Sequence, residues 1–553
     1  MVITRYWHTL RHLRPVQLYR RIWFRLHTPR VRSRPAPATR SISAHRWIAP
    51  APHRASLRAP NELTLLNRTH AVSDRGWDDS RLDKLLRYNL HYFDDLTAAS
   101  STARVEWQRA LVKRWVRENP LGRGTGWEPY PTSLRIVNWI KWTLGGEALS
   151  TELTRSLADQ ARWLAARLEI HLLGNHLFAN AKALVFAGLY FDGAEADGWL
   201  ATGLKILARE IPEQILPDGG QFEGSPMYHA LAVEDMLDLR NVTRVYPDAI
   251  PERWSTLLES WPRTLADMRH WMLAMRHPDG EIGFFNDAAI GIAPVPAALE
   301  SYADRLGLGA APTVAVPVTR LDASGYVRVQ REHAVALLDV APVGPSYLPG
   351  HGHADILSFE LSLFGQRVLV NSGTSQYGAG AERLRQRGTA AHNTVVVDGA
   401  DSSEVWGGFR VARRARPIDL RIVKAPDVVV RCSHDGYRRL PGRVTHTREW
   451  RFGTEALHVE DRLTGRFAAA EARFHLHPEV GVDGAGELAP HDGSLRLCLP
   501  GGQRVLFEVE QGSVRVEPST WHPEFGRTVA NLCLVVRLDQ ALSRIRLDWS
   551  EAA

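Results

Sequence analysis

Apolar positions along this chain recur with two different periods, and the change from one to the other falls between residues 312 and 323. On the early side the spacing is helical. In 155–173, Leu157, Ala161, Leu164 and Leu168 stand three or four apart, which lays them on one face of a helix. The same texture returns in 104–117, 134–144, 176–190, 199–211 and 234–245, joined by Gly/Pro loops with no strand alternation between them. Stacked helical hairpins follow, without a fixed repeat length. From Ser324 onward the period is two. The runs "GYVRVQ", "HAVALLDV", "SFELSLFGQRVLVN", "NTVVVDG", "VTHTREWRF", "ALHVEDRLTG", "SLRLCL", "RVLFEVE", "SVRVEP" and "NLCLVVRL" alternate apolar with polar residues between Gly, Pro or Asp-Gly turns. They predict the antiparallel strands of a large sandwich. The expectation is an α+β multidomain chain, with an arm over 1–60, a helical domain over 61–317 and an antiparallel β-sandwich over 318–553.

Composition changes this picture little. At 553 residues the chain exceeds one hydrophobic core. Its 44% hydrophobic and 23% charged residues are those of an ordinary globular protein, and no apolar run reaches bilayer-spanning length. Charge says more. The balance of 68 basic against 61 acidic residues, with much of the excess before residue 60, favours a polyanionic partner: acidic polysaccharide, nucleic acid or an anionic membrane surface. Within the arm, 16–26 is amphipathic. A leader packed on the helical domain is the expectation, with attachment to an acidic polymer or membrane as the alternative. Cys432, Cys498 and Cys533 are too few and too scattered for a disulfide framework and read as buried thiols. The basic first thirty residues hold no uninterrupted apolar core with a cleavage site, so a secretory signal is not expected and location stays open between cytoplasm and periplasm.

Candidate chemistry gathers in three segments. "GHGHADILSFELSLFGQRVLVNSGTSQYG" (350–378) begins with His351, His353 and Asp355, and His392 arrives beside a later β-like run. Imidazoles so grouped suit either a metal site or proton transfer. In "GNHLFANAKALVFAGLYF" (174–191), Asn175 and His176 open a helix, where Asn also has a plain job as a cap. "LPDGGQFEGSPMYHA" (216–230) is a glycine-rich connection between helices carrying Gln221, Glu223, Tyr228 and His229, the kind of loop on a rigid scaffold that serves binding and catalysis. His475 and His477 repeat the spacing of His351 and His353, but no third ligand accompanies them, and a solvated strand face accounts for them.

These three segments, in this order, resemble the heparinase II/III-like polysaccharide lyases, over about residues 85–410. The resemblance implies an incomplete (α/α) toroid followed by an antiparallel β-sandwich, and eliminative cleavage of uronate-containing polysaccharide such as glycosaminoglycan or alginate. An acidic polysaccharide, and not nucleic acid, is the partner it implies. By motif, Asn175, His176, Tyr228 and His351 take the catalytic positions, and His353 and His392 take two ligand positions of a structural divalent metal, zinc or manganese. Asn371 in "VNSGT" stands where the third ligand is commonly Asp; an amide oxygen is neutral and weaker, and Asp355 is the nearby substitute. Around such a site Trp127, Tyr130 and Arg135 in "GWEPYPTSLR" offer aromatic faces and a guanidinium for sugar and carboxylate, as Arg383, Arg385 and Arg387 do, while Gln221, Glu223 and His229 line the loop.

Elimination requires removal of the uronate C5 proton and protonation of the leaving oxygen while charge builds on the carboxylate. Asn175 with His176 or His351 is assigned to that charge, where one donor contributes ~3 kcal/mol. Tyr228 is assigned to the proton, provided its pKa falls from about 10. The alternatives are a C5-epimerase, a hydrolase using Glu223 and Asp287 as paired carboxylates, or a non-catalytic exopolysaccharide-binding or assembly protein.

Overall fold

The computed structural model describes residues 2–41, 47–72, 76–310, 313–483 and 493–550. Twelve α-helices are described: α1 (Val2–Leu10), α2 (Pro15–Leu26), α3 (Lys84–Leu90), α4 (Val105–Glu118), α5 (Pro129–Leu144), α6 (Thr151–Ala166), α7 (Gly174–Tyr190), α8 (Ala194–Gln214), α9 (Pro226–Val245), α10 (Ser255–Ala274), α11 (Pro296–Arg305) and α12 (Ala381–Arg387). Helices α4 to α11 form the helical toroid, with α7 at its centre against α5, α6, α8 and α9. Its sequence is apolar nearly all round, so it is buried nearly all round. Gly188 permits the closest approach, since a Cβ there would lie 2.5 Å from the backbone nitrogen of Leu200 on α8. Polar residues inside this helix are matched: Asn180 donates to Ser133 and Glu169, and Lys182 meets Asp235 and Asp238 at 2.7 and 2.6 Å.

Beyond α11 the chain turns to β-structure at Val318–Leu321. A five-stranded antiparallel sheet runs in sequential order from there to Gln366–Leu369. An eight-stranded sheet begins at the edge strand Pro417–Val423 and ends at Gly481–Val482, and a four-stranded sheet runs in the order Ser513–Trp521, Val529–Arg537, Ala470–His475, Val395–Val397. All three share one core, from Val327 and Phe359 through Trp450 and Phe474 to Leu547.

Several elements depart from the pattern reading. A small antiparallel sheet, Leu57–Ala59, Glu62–Leu65 and Arg68–Ala71, lies where arm and helix were expected. Helix α10, interrupted in sequence by Pro262, was not anticipated. Nor were the strands Pro417–Val423, Val428–His434, Ala470–His475 and Leu542–Asp548. Ala470 and Ala472 mark an inward face too weakly to stand out, and a register shift between Ile418 and Arg421 breaks the alternation of the edge strand. His475 is buried, not solvated, with its ring nitrogens against Ser519 and the carbonyl of Ala390. Of the thiols, Cys432 and Cys533 are buried and Cys498 only half so.

Polar contacts fasten helices to sandwich. Asp218 accepts from the backbone of Ala323 and Ser324 at 2.9 and 2.7 Å, and Arg328 donates to the carbonyls of Ala274 and Arg276 at the end of α10. Glu360, fully buried on a central strand, accepts from His277, from the backbone of Phe284 and from that of Asn371. The buried Arg328 and Glu360 are thereby paired, which makes the seam specific. The candidate site lies along this seam.

Candidate active site

Helix α7 starts abruptly. Leu173 and Gly174 both have positive φ, and a side chain at Gly174 would collide with Leu348, so the backbone there turns tightly and projects Asn175 and His176 from the first turn. Asn175 is not the cap expected of it as the plain alternative, because the cap position is Leu173. Its side chain makes no hydrogen bond among the described residues and lines a cavity of about 340 Å³ together with Tyr130, Gln221, Tyr228 and Tyr377. His176 holds Glu169 at 3.1 Å and lies against the Tyr130 ring, centroids 4.5 Å apart. Burial opposes charge on this imidazole, but the Glu169 carboxylate outweighs it and raises the pKa.

Tyr228 sits on the first turn of α9, capped by Ser225. Its hydroxyl is 2.9 Å from that of Tyr377 in the sandwich, and its ring packs on that of His351, centroids 4.1 Å apart. Burial, with Tyr377 next, holds the phenol well above its usual pKa. The lowering that a phenolate base requires is not present in the protein alone.

Asp287 organises the histidines. Its carboxylate accepts from His351 Nδ1 and His353 Nε2, both at 2.8 Å, and from both arms of Arg383. Burial works against its charge, but Arg383 and the two imidazoles hold its pKa well below the carboxylate range. A carboxylate can only accept, so His351 carries its proton on Nδ1 and presents Nε2 as a base. That nitrogen faces Glu223 at 3.7 Å. Burial raises the Glu223 carboxyl, and one of its oxygens has no hydrogen-bond partner among the described residues. As a hydrolase pair Asp287 and Glu223 are unsuited, because Asp287 is wholly engaged in holding side chains.

The same geometry sets a metal-ligand pair. His353 Nε2 donates to Asp287 and His392 Nδ1 donates to the carbonyl of Gly388, so the remaining nitrogens, 3.1 Å apart, face each other as lone pairs. A shared proton or a metal ion between them would relieve this apposition, so the pair is compatible with a metal. Asp355 completes a buried group with donor atoms within 4.8 Å of one another. Asn371, expected as the third ligand, is already tied to its neighbours. Its amide donates to the carbonyl of Phe284 at 3.0 Å and accepts from the backbone of Asn393 at 3.1 Å, so it joins loops, whereas Asp355 offers a carboxylate beside the two imidazoles.

Other expected binding groups are buried in the core or engaged by protein partners. Arg135 is fully buried, donates to Gln160 and the carbonyl of His91, and stacks on Trp115 at 3.8 Å. Trp127 is buried against Trp115 and Trp163. Arg387 is spent on the carbonyls of Gly352 and Gly407, Arg383 on Asp287, and Arg385 on Glu382, Thr520 and His522. His229 is fully buried with both nitrogens engaged, by the backbone of Gln221 and the carbonyl of Met268, so it holds the loop and has no free base. Gln221 braces Glu223 from below, accepting from its backbone at 2.9 Å.

Three contributors had no sequence signal of their own. Tyr377 lies within the Gly-containing "NSGTSQYG", which has no periodicity. Asn286, at φ 56, ties the site together by accepting from the backbone of His353, donating to the carbonyl of Gly224 and placing its own backbone N–H on Asp355. The cavity floor is a charged network: Lys141 and Lys182 share Asp238, and His53 meets Glu234 at 2.8 Å. Its members lie far apart along the chain.

Comparison with known proteins agrees with this arrangement. Residues 102–305 match the model of the heparinase II/III N-terminus and residues 313–550 that of the heparinase II/III-like C-terminal domain. The chain belongs to the heparinase II/III-like family. A heparin-sulfate lyase of Pedobacter heparinus is 24% identical over 51% of this chain and 46% of its own length, and one of Bacteroides stercoris is 25% identical over 57% and 54%. The chain thus spans about half the length of these relatives. FtsZ-localized protein C of Caulobacter vibrioides is 24% identical over 78% of this chain and 81% of its own. A heparinase III structure superposes with TM-score 0.67 at 18% identity, covering 86% of this chain and 80% of that one, which speaks to the fold alone.

Proposed function

We propose, with membership of this family as the premise, that the chain is a polysaccharide lyase acting on a uronate-containing acidic polysaccharide, glycosaminoglycan or a similar polymer, by β-elimination. One observation carries the reading: Tyr228 from the helical domain packs on His351 from the sandwich at 4.1 Å, beside a cavity lined by Asn175 and Tyr130. A proton donor, a proton acceptor and an unpaired amide thus meet at the seam of the two domains.

In the proposed reaction the C5–H bond breaks to a base, the electron pair forms the C4–C5 double bond, and the C4–O4 bond breaks as O4 takes a proton. His351 Nε2, kept free by Asp287 on the opposite nitrogen, is the acceptor the geometry offers, and Tyr228, held protonated by burial, is the donor for O4. Tyr228 can serve both transfers only if bound substrate brings its pKa down. Asn175 on the cavity wall, and His176 behind the Tyr130 ring with its pKa raised by Glu169, are assigned to the carboxylate as negative charge develops on it. Tyr130 supplies a ring face, and Gln221 a further polar group.

A divalent ion fits His353 Nδ1, His392 Nε2 and Asp355, a donor set suited to zinc or manganese. Its contribution would be structural, neutralising facing lone pairs and pinning the loop that carries His351.

A second reading has its own support. The relative matched over most of both chains is named for localisation with FtsZ and not for an activity. A non-catalytic polysaccharide-binding protein of this fold would bind polymer without turnover. A panel of uronate polymers, followed by the ultraviolet absorbance of 4,5-unsaturated ends, separates the two. Absorbance that grows with wild type and is absent in Tyr228→Phe supports the lyase; binding with no product from any polymer sinks it.

A further inference from the structure

Helices α1 and α2 carry a surface that the proposed chemistry does not use. Of thirteen large apolar side chains exposed among the described residues, eight lie on these two short helices. On α2 they are Leu18, Tyr19, Ile22, Trp23 and Leu26, with exposures from 49% to 81%. At about 3.6 residues per turn this spacing forms one stripe, opposite the face that carries Gln17 and Phe24. That opposite face is docked. Gln17 donates to the carbonyl of Tyr347, Arg14 stacks on the Tyr347 ring at 3.7 Å, and Phe24 packs on His171. Helix α1 is fastened to the sandwich, where Tyr6 meets Trp406 edge-on and Thr9 accepts from the Trp406 indole, while Trp7 remains 65% exposed. The outward stripe is therefore held in place by both domains.

Charge identifies its occupant. The first sixty residues contain 13 arginines and neither Asp nor Glu. Some arginines pair with acids of the main body, Arg5 with Glu404 and Arg14 with Glu213. Arg11, Arg21, Arg25 and Arg30 are exposed and make no ion pair among the described residues. Arg21 and Arg25 border the stripe on α2. A second copy of the chain would bring the same unpaired cations together, and a hydrated polysaccharide would leave the Ile22, Trp23 and Leu26 side chains wet. A surface with an apolar interior and an anionic rim satisfies both. No described helix is long and apolar enough to cross a membrane, so the contact lies on a surface and not through it.

We propose that α1 and α2 form a monotopic docking site for an anionic lipid bilayer, with Trp7, Ile22, Trp23 and Leu26 inserted at the headgroup boundary and the free arginines on the phosphates. The test is co-sedimentation of the full chain with vesicles of phosphatidylcholine alone or mixed with phosphatidylglycerol. Binding is expected on the mixed vesicles and reduced by high salt, and Ile22→Glu/Leu26→Glu should lower it at least about tenfold with an unchanged melting temperature. Arg21→Gln/Arg25→Gln, which leaves the apolar stripe intact, should weaken it in the same direction. Equal binding by the wild type and the glutamate variant overturns the proposal, as does no binding to the mixed vesicles. Two further outcomes also overturn it: retention on heparin that the glutamate variant loses, without vesicle binding, or a wild-type dimer that this variant dissolves.

Discussion

The Tyr228 hydroxyl lies 2.9 Å from the Tyr377 hydroxyl, so the residue assigned to proton transfer on the helical domain is hydrogen-bonded to a partner on the sandwich. Tyr228→Phe keeps the ring against His351 and removes the hydroxyl. Turnover should fall by at least about 10²-fold while polymer binding is retained. Tyr377→Phe removes only the neighbour and should shift the pH profile of kcat, with a smaller loss of rate. If both variants lose binding and keep kcat at saturation, the pair holds substrate and transfers no proton.

Asn175 has an amide at the cavity wall with no hydrogen-bond partner among the described residues. Its contribution should strengthen as charge develops on substrate, so Asn175→Ala is expected to lower kcat by about 10²-fold with little change in KM. A rise in KM at constant kcat, measured on the same polymer, would assign it to ground-state binding instead.

Metal content distinguishes Asp355 from Asn371. Elemental analysis of purified protein should find zinc or manganese in wild type, and that metal should be lost in His392→Ala and Asp355→Asn. Asn371→Ala should retain the ion but unfold earlier, because it releases the carbonyl of Phe284 and the backbone of Asn393. Loss of metal in Asn371→Ala with retention in Asp355→Asn would reverse the ligand assignment.

Asp287→Asn leaves Arg383 buried without a counter-charge and turns an acceptor towards His351 and His353 into a mixed group. Stability should drop by about 3–5 kcal/mol in denaturant titration, and activity should fall with it through misplacement of His351. An unchanged unfolding midpoint would show that Arg383 has another partner.

The floor of the cavity should make stability depend on pH on the alkaline side. Burial disfavours charge on His53, but Glu234 outweighs it and raises the pKa from 6.5 to about 9. Protonated His53 therefore stabilises the fold fully below pH 6.5, and that contribution, up to about 3 kcal/mol, is lost as the pH rises through about 9. Melting temperatures of wild type and His53→Gln should converge over that window; parallel curves from pH 6 to 10 would refute the linkage.

Much of the architecture was legible in the chain. The switch from a helical to a two-residue period reports local backbone geometry and which face is buried, so α4 to α9 and ten runs that hold eleven strands could be read without contacts. The short segments around Asn175, Tyr228 and His351 were legible as motifs, because each keeps its residues within a few positions of one another. Tertiary structure decided the rest. Asp287 meets His351 across 64 residues and Tyr228 meets Tyr377 across 149, separations at which neither period nor spacing leaves a trace. Burial was equally hidden. Arg135 and Trp127 have the composition of a sugar site, and only the packing of α4, α5 and α6 around them makes them core. A local pattern records what each residue is and which side it faces. Which buried charge meets which partner is set when distant loops close on one another, because the cost of leaving a charge unpaired is paid only in the folded interior.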